Sequence, residues 1–221
     1  STIILSDGSF GGTWSSSNTA IATVTSGTGV VTGVAPGNAT ITYTLPTSCI
    51  ITAAVTVNPL PAAITGGPGV CIGSIITLND ATAGGTWISS NTAIATIVSS
   101  TGVLTGVAVG TALITYQLTA TGCQVTRTIS VNPLPAAITG PSTLCASGGT
   151  ITLSDATAGG TWSSSNTTIA TAGSATGIIT GVSSGLVTIT YTLGTGCIAT
   201  TILSVNPAPP AVITPLGDTT V

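Results

Sequence analysis

Charge is nearly missing from this chain. Of 221 residues only 2% are charged: one cation, Arg127, and four acids, Asp7, Asp80, Asp155 and Asp218. His, Lys, Glu and Met do not occur. Each absence removes a class of function. Nucleic-acid binding needs several Lys and Arg to displace counterions, so no nucleic-acid partner is expected. Without His there is no histidine general base. Without Lys there is neither a Schiff base nor a Lys–Asn cross-link. The four acids lie far apart in the chain, so paired-carboxylate glycoside chemistry has no pair to work with. Aromatics are also scarce, with three Trp, three Tyr and one Phe. That is too few for the girdles of an outer-membrane barrel. A spanning helix needs about 20 mostly apolar residues in a row, and Thr, Ser or Gly interrupts every apolar run here. No membrane insertion is therefore expected. With no acid–base set and no ligand cluster, no enzyme activity, cofactor or metal is expected either.

What is present is β composition. Hydrophobic residues make up 43% of the chain, which is rich in Thr, Gly, Val and Ile. High hydrophobicity with low charge is the reverse of the disorder signature.

The chain is internally repetitive. Trp14, Trp87 and Trp162 recur at spacings of 73 and 75, as do Tyr43, Tyr116 and Tyr191. Asn58-Pro59-Leu60-Pro61 returns as Asn132-Pro133-Leu134-Pro135 and as Asn206-Pro207-Ala208-Pro209. Cys49, Cys123 and Cys197 are 74 apart, as are Cys71 and Cys145. The expected division is 1–59, 60–133, 134–207 and a leading segment 208–221. Ser1 aligns with Ser74, so the first unit is expected to lack its first strand. Two readings of the ends stand: a piece of a longer tandem array, or assembly in which 208–221 completes the first unit of the next molecule. Ser1 opens no signal-peptide pattern, which fits a processed chain or a piece of a longer one.

Val187-Thr188-Ile189-Thr190-Tyr191-Thr192-Leu193 alternates without a fault, the mark of a strand with one buried face. Thr150–Ser154, Gly160–Ser165, Gly177–Val182 and Ile198–Val205 are further expected strands, separated by Gly-rich turns. Six or seven short strands in about 74 residues point to an all-β fold of tandem sandwiches. Trp14, Trp87 and Trp162 are the expected core anchors. The proline pairs in the linkers remove backbone donors and favour a stiff, extended path between units, hence a rod.

The run Trp162–Thr171, followed by Thr176-Gly177-Ile178-Ile179-Thr180-Gly181-Val182 and Val187–Tyr191, resembles the bacterial immunoglobulin-like domain of group 2, as in invasin- and intimin-type surface proteins. The pattern recurs over Trp14–Tyr43 and Trp87–Tyr116. The linkers and paired cysteines also resemble giant secreted repeat proteins of Bacteroidota. The resemblance implies immunoglobulin-like sandwiches, extracellular or cell-surface display, roles in adhesion or spacing, and no catalytic residues.

The five cysteines read as disulfide formers in an oxidising compartment. Two pairings are open. Cys71–Cys123 and Cys145–Cys197, within units, would each close a loop of about 53 residues and contribute about 4 kcal/mol in the chain-entropy model. Alternatively the first Cys of one unit meets the second Cys of the next, as Cys71–Cys197. Within-unit pairing is placed first, on the expectation that a bent first strand brings the two together. Asp7, Asp80 and Asp155 read as turn formers. Arg127 reads as a side chain snorkelling at a sheet edge. Asn38 and Asn166 stand in N-glycosylation triplets, and Thr219 in a short O-glycosylation pattern, all three of which a Thr-rich chain produces by chance. The expected role is a non-catalytic structural rod in a surface filament or stalk, partnered by copies of itself. The alternatives are an adhesin module that binds surface glycans and a spacer of a large secreted protein.

Overall fold

The computed structural model describes residues 1–209. The expected leading segment 208–221 and Thr219 therefore lie largely or wholly outside the described residues. All regular structure among those described is β-strand. The first repeat carries β1 (Thr2–Ile4), β2 (Thr13–Ser16), β3 (Ala22–Val24), β4 (Val30–Gly33), β5 (Gly37–Thr44) and β6 (Ile50–Val57). The second carries β7 (Gly69–Cys71), β8 (Ile75–Thr77), β9 (Gly85–Ser89), β10 (Ala95–Ile97), β11 (Val103–Gly106), β12 (Gly110–Leu118) and β13 (Gln124–Asn132). The third carries β14 (Thr143–Cys145), β15 (Thr150–Thr152), β16 (Thr161–Ser164), β17 (Ala170–Ala172), β18 (Ile178–Gly181), β19 (Gly185–Thr192) and β20 (Ile198–Asn206).

One plan recurs. A three-stranded antiparallel sheet, ordered β15-β18-β17 in the third repeat, is matched by β8-β11-β10 and β1-β4-β3. The second sheet is ordered β14-β20-β19-β16 in the third repeat and β7-β13-β12-β9 in the second. In the first repeat it has three strands, β2-β5-β6. The fourth strand is parallel: β14 pairs with β20 through Thr143↔Ser204, Leu144↔Val205 and Cys145↔Asn206, and β7 pairs with β13 in the same register. This is the immunoglobulin-like sandwich.

By packing density the chain divides into two compact units. One holds Ser1–Thr65, Asn79–Ile88 and Thr115–Arg127. The other holds Gly66–Leu78, Ser89–Ile114 and the chain from Thr128 onward.

The alternation seen in the sequence becomes burial. Val187, Ile189 and Tyr191 of β19 are buried and face Leu203 and Val205 of β20, with Trp162, Ala170 and Ile179 completing the core. The intervening Thr188, Thr190 and Thr192 lie on the other face, half-buried. The first repeat has a smaller core of Ala22, Val31, Ala39 and Ile41. Its Trp14, Val55 and Val57 are only half-buried. Their counterparts Trp162, Leu203 and Val205 are buried.

Two short strands lie outside the ranges expected from the third repeat's pattern: β14 precedes them all and β17 falls between two of them. Each is three residues long, too short for an alternation to register.

Candidate functional site

Each repeat is built around a Trp–Tyr pair directly across two strands. Trp162 of β16 faces Tyr191 of β19, with ring centroids 4.7 Å apart and tilted 49°. Trp14–Tyr43 and Trp87–Tyr116 repeat the geometry at 4.7 and 4.8 Å. Such a pair adds about 0.5–1.5 kcal/mol beyond its area. The tyrosine hydroxyl is used as well. Tyr191 Oη donates to the Thr157 carbonyl at 2.7 Å and accepts the Gly160 N–H at 2.8 Å. Tyr116 binds Thr82 and Gly85 in this way, and Tyr43 binds Ser9 and Gly12. Gly160 is there because a Cβ would sit 2.5 Å from the tyrosine ring. The constant Gly-to-Tyr spacing of 31 residues is the sequence signal for this clamp, and composition alone does not reveal it.

The acids form local turns. Asp7, Asp80 and Asp155 each accept, through Oδ1, the N–H two residues on, at 2.7–2.8 Å. The Oδ2 atoms of Asp80 and Asp155 are buried without a hydrogen-bond partner. Among the described residues no three Cys or Asp come together as a metal site. Arg127 is half-buried, and its Nη1 donates to the Ile64 carbonyl at 2.9 Å, which answers the cost of burying a cation. Asn38 and Asn166 are exposed. Asn166 Oδ1 caps its own turn by accepting the Thr168 N–H, a bond that Asn18 and Asn91 make to Ala20 and Ala93 without standing in any triplet.

The cysteines correct the expected pairing. The bond formed is Cys71–Cys197, with Cα atoms 5.7 Å apart, and it joins the second repeat to the third. The reason is strand length. Cys145 lies beside Asn206 at the far end of β20, while Cys197 immediately precedes that strand. Nine residues of strand span about 30 Å, far beyond the roughly 7 Å that a disulfide tolerates. The first strand expected to bridge that gap, β14, is only three residues long. Cys49 and Cys145 are exposed free thiols, and Cys123 is a half-buried one.

One concave feature stands out in the first unit. A cleft of about 520 Å³ runs beside β6 and is lined by Gly33, Val55, Val57, Asn58, Leu60 and Cys123 among others. In the strand order β6 has β5 on one side only.

The family match agrees with this architecture. The model of the bacterial Ig-like domain (group 2) matches residues 5–48 and 138–202. Ice-binding protein 1 of Shewanella frigidimarina is 30% identical over 206 residues, spanning 81% of this chain and 23% of that protein. The chain thus covers about a quarter of this curated relative. Among solved structures, a C-terminal fragment of intimin in complex with the intimin-binding domain of its translocated receptor is 17% identical. It covers 67% of this chain and 64% of that one, at a TM-score of 0.45. Invasin, titled a bacterial integrin-binding protein, is 17% identical over 89% of this chain and 52% of that one, at a TM-score of 0.42. Among the described residues no helix is long and apolar enough to cross a membrane. Residues 5–48 and 138–202 of this chain thus match the bacterial Ig-like domain family of group 2, and the sandwich plan recurs along the described residues.

Proposed function

We propose that this chain is a non-catalytic, extracellular structural element: a stretch of a tandem immunoglobulin-like rod in a bacterial surface filament or stalk. The repeats at 1–59, 60–133 and 134–207 would be its successive links. The observation that carries the reading is the Cys71–Cys197 bond. A disulfide within a domain stabilises that domain alone. A disulfide from one repeat to the next resists their separation, which is what a part under tension requires. Two further features support it. The Asn-Pro linkers leave little slack between repeats. Near-zero charge removes the repulsion that keeps neighbouring chains apart, so association with further copies is favoured. Electron microscopy of native material tests the reading. Long uniform fibres with a regular axial repeat support it; short free-ended particles overturn it.

A second reading, an adhesin module for glycans or other surfaces, is favoured by one residue. Phe10 is 97% exposed, where the other repeats carry Ala83 and Ala158. An exposed aromatic confined to one repeat is what a contact residue would look like. Glycan-array binding that is lost in Phe10→Ala supports this reading, and no binding by the unaltered chain removes it.

A further inference from the structure

We propose that the outer face of the sheet β14-β20-β19-β16 in the third repeat is a self-association surface, and that its partner is the same face of a second copy of this chain. The inference rests on the proposed association between copies and says through which face that association runs.

The face follows from register. In β19 the residues Val187, Ile189 and Tyr191 fill the core, so Leu186, Thr188, Thr190 and Thr192 point away from it. β20 lies antiparallel beside β19, and its outward residues are Ile198, Thr200, Ile202 and Ser204. Ser163 of β16 stands opposite Thr190 and extends the same face. Three large aliphatic side chains project from it: Leu186 is 70% exposed, Ile202 65% and Ile198 49%. Leu186 is paired with Ser204 and Thr188 with Ile202, so Leu186 and Ile202 are diagonal neighbours on adjacent strands. Ile198 lies on the same side of β20, with Thr200 between it and Ile202.

Strand formation alone does not call for Leu186 and Ile202. The repeat position of Leu186 carries Thr111 in the second repeat and Asn38 in the first, and that of Ile202 carries Thr128 and Ala54. Those residues sit in the same strands of the same sheet, so the fold does not need an aliphatic side chain at either place. Leaving Leu and Ile in water brings the single chain nothing, whereas burying them against a partner does.

Charge selects the partner. Among the described residues from Thr128 onward the one charged side chain is Asp155, which lies in a turn outside this sheet and has its Oδ2 buried. The face therefore carries hydroxyls and methyls and no ion. A soluble protein is about a quarter Asp, Glu, Lys and Arg. Pressing such a surface onto this one strips water from charges that find nothing to pair with. A second copy of the same face brings no charge. Its hydroxyls meet hydroxyls, and its Leu186 and Ile202 meet aliphatic side chains.

The area suffices for a weak, specific pair. Four strands about 4.8 Å apart and eight residues at about 3.4 Å each make a face of about 500 Å². Two such faces bury about 1,000 Å², the size at which specific association begins. Sheets packed face to face lie about 10 Å apart, which lets their side chains interdigitate. Because both copies use the same patch, the pair is a two-fold dimer in which each Leu186–Ile202 patch meets the other.

The test uses the 221-residue chain with Cys71–Cys197 intact and its free thiols alkylated, so that no new disulfide joins two copies. Sedimentation velocity over a concentration series up to about 1 mM reads the dimer constant. The unaltered chain is expected to dimerise reversibly. Ile202→Lys and Ile202→Glu are each expected to weaken the dimer at least about tenfold, because like charges then face each other across the axis. Mixing these two variants is expected to restore most of the affinity, which misfolded variants would not do. Thr128→Lys, at the same repeat position in the second repeat, is expected to leave the constant unchanged. A monomer at every concentration overturns the inference, while the filament reading is still decided by micrographs of native material, since copies can also join end to end. Dimerisation that neither Ile202 variant weakens puts the contact on another face, which overturns the inference and leaves the association standing. Weakening without recovery on mixing overturns the two-fold arrangement and the inference with it.

Discussion

Cys71 and Cys197 are 126 positions apart in sequence, yet their Cα atoms are 5.7 Å apart. Closing so long a loop contributes about 5 kcal/mol in the chain-entropy model. Cys197→Ser is therefore expected to lower the stability of the second unit by about 2–5 kcal/mol. Cys145→Ser, which breaks no bond, is expected to change it by less than about 0.5 kcal/mol. Urea denaturation of both variants under non-reducing conditions decides the matter. Equal effects would mean that the bond does not constrain the native protein.

The tyrosine clamp carries a second prediction. Tyr191→Phe keeps the ring on Trp162 but removes both hydroxyl bonds, leaving the Thr157 carbonyl and the Gly160 N–H without their partner. A loss of about 1–3 kcal/mol is expected. Tyr191→Leu should cost more, because it also removes the tilted pairing with Trp162. Thermal melts with tryptophan fluorescence as the probe would show the order. A Phe variant as stable as the parent would mean that water replaces the clamp without cost.

Glycine substitutions separate the first repeat from the others. Gly106→Ala pushes a methyl against the Cys71 carbonyl and should destabilise by about 1–3 kcal/mol. The nearest atoms to a methyl at Gly33 belong to the Val57 side chain, at 3.1 Å, so Gly33→Ala should cost less than about 1 kcal/mol. The contrast is read from the denaturation midpoints of the two variants.

Much of this architecture was legible in the residues, for physical reasons. A period near 74 and a faultless alternation such as Val187–Leu193 report which side chains must share a face, and the burial of Val187, Ile189 and Tyr191 follows. Disulfide connectivity was not legible, because it depends on where strand ends lie in space. Only the parallel register of β14 on β20 shows that Cys145 and Cys197 sit a full strand length apart. The open side of β6 was legible: Ser1 aligns with Ser74, and among the described residues β6 has β5 alone beside it where β13 has both β7 and β12.

Arg127 supplies the last prediction. It is the only Lys or Arg in the chain, so trypsin has one site. That site lies within β13, a strand flanked by β7 and β12 in the sheet order, and its side chain is tied to the Ile64 carbonyl. A protease must draw several residues around the scissile bond into its own cleft, so cleavage requires β13 to leave its sheet. The native chain should survive trypsin for as long as it stays folded, with a lifetime that falls steeply in urea. When cleavage does occur, the two halves carry Cys71 and Cys197 respectively, so they remain linked. A non-reducing gel should show one band of unchanged mass, and a reducing gel should show two. Rapid cutting in native buffer would mean that β13 opens locally. Two bands without reductant would mean that Cys71 and Cys197 are not joined.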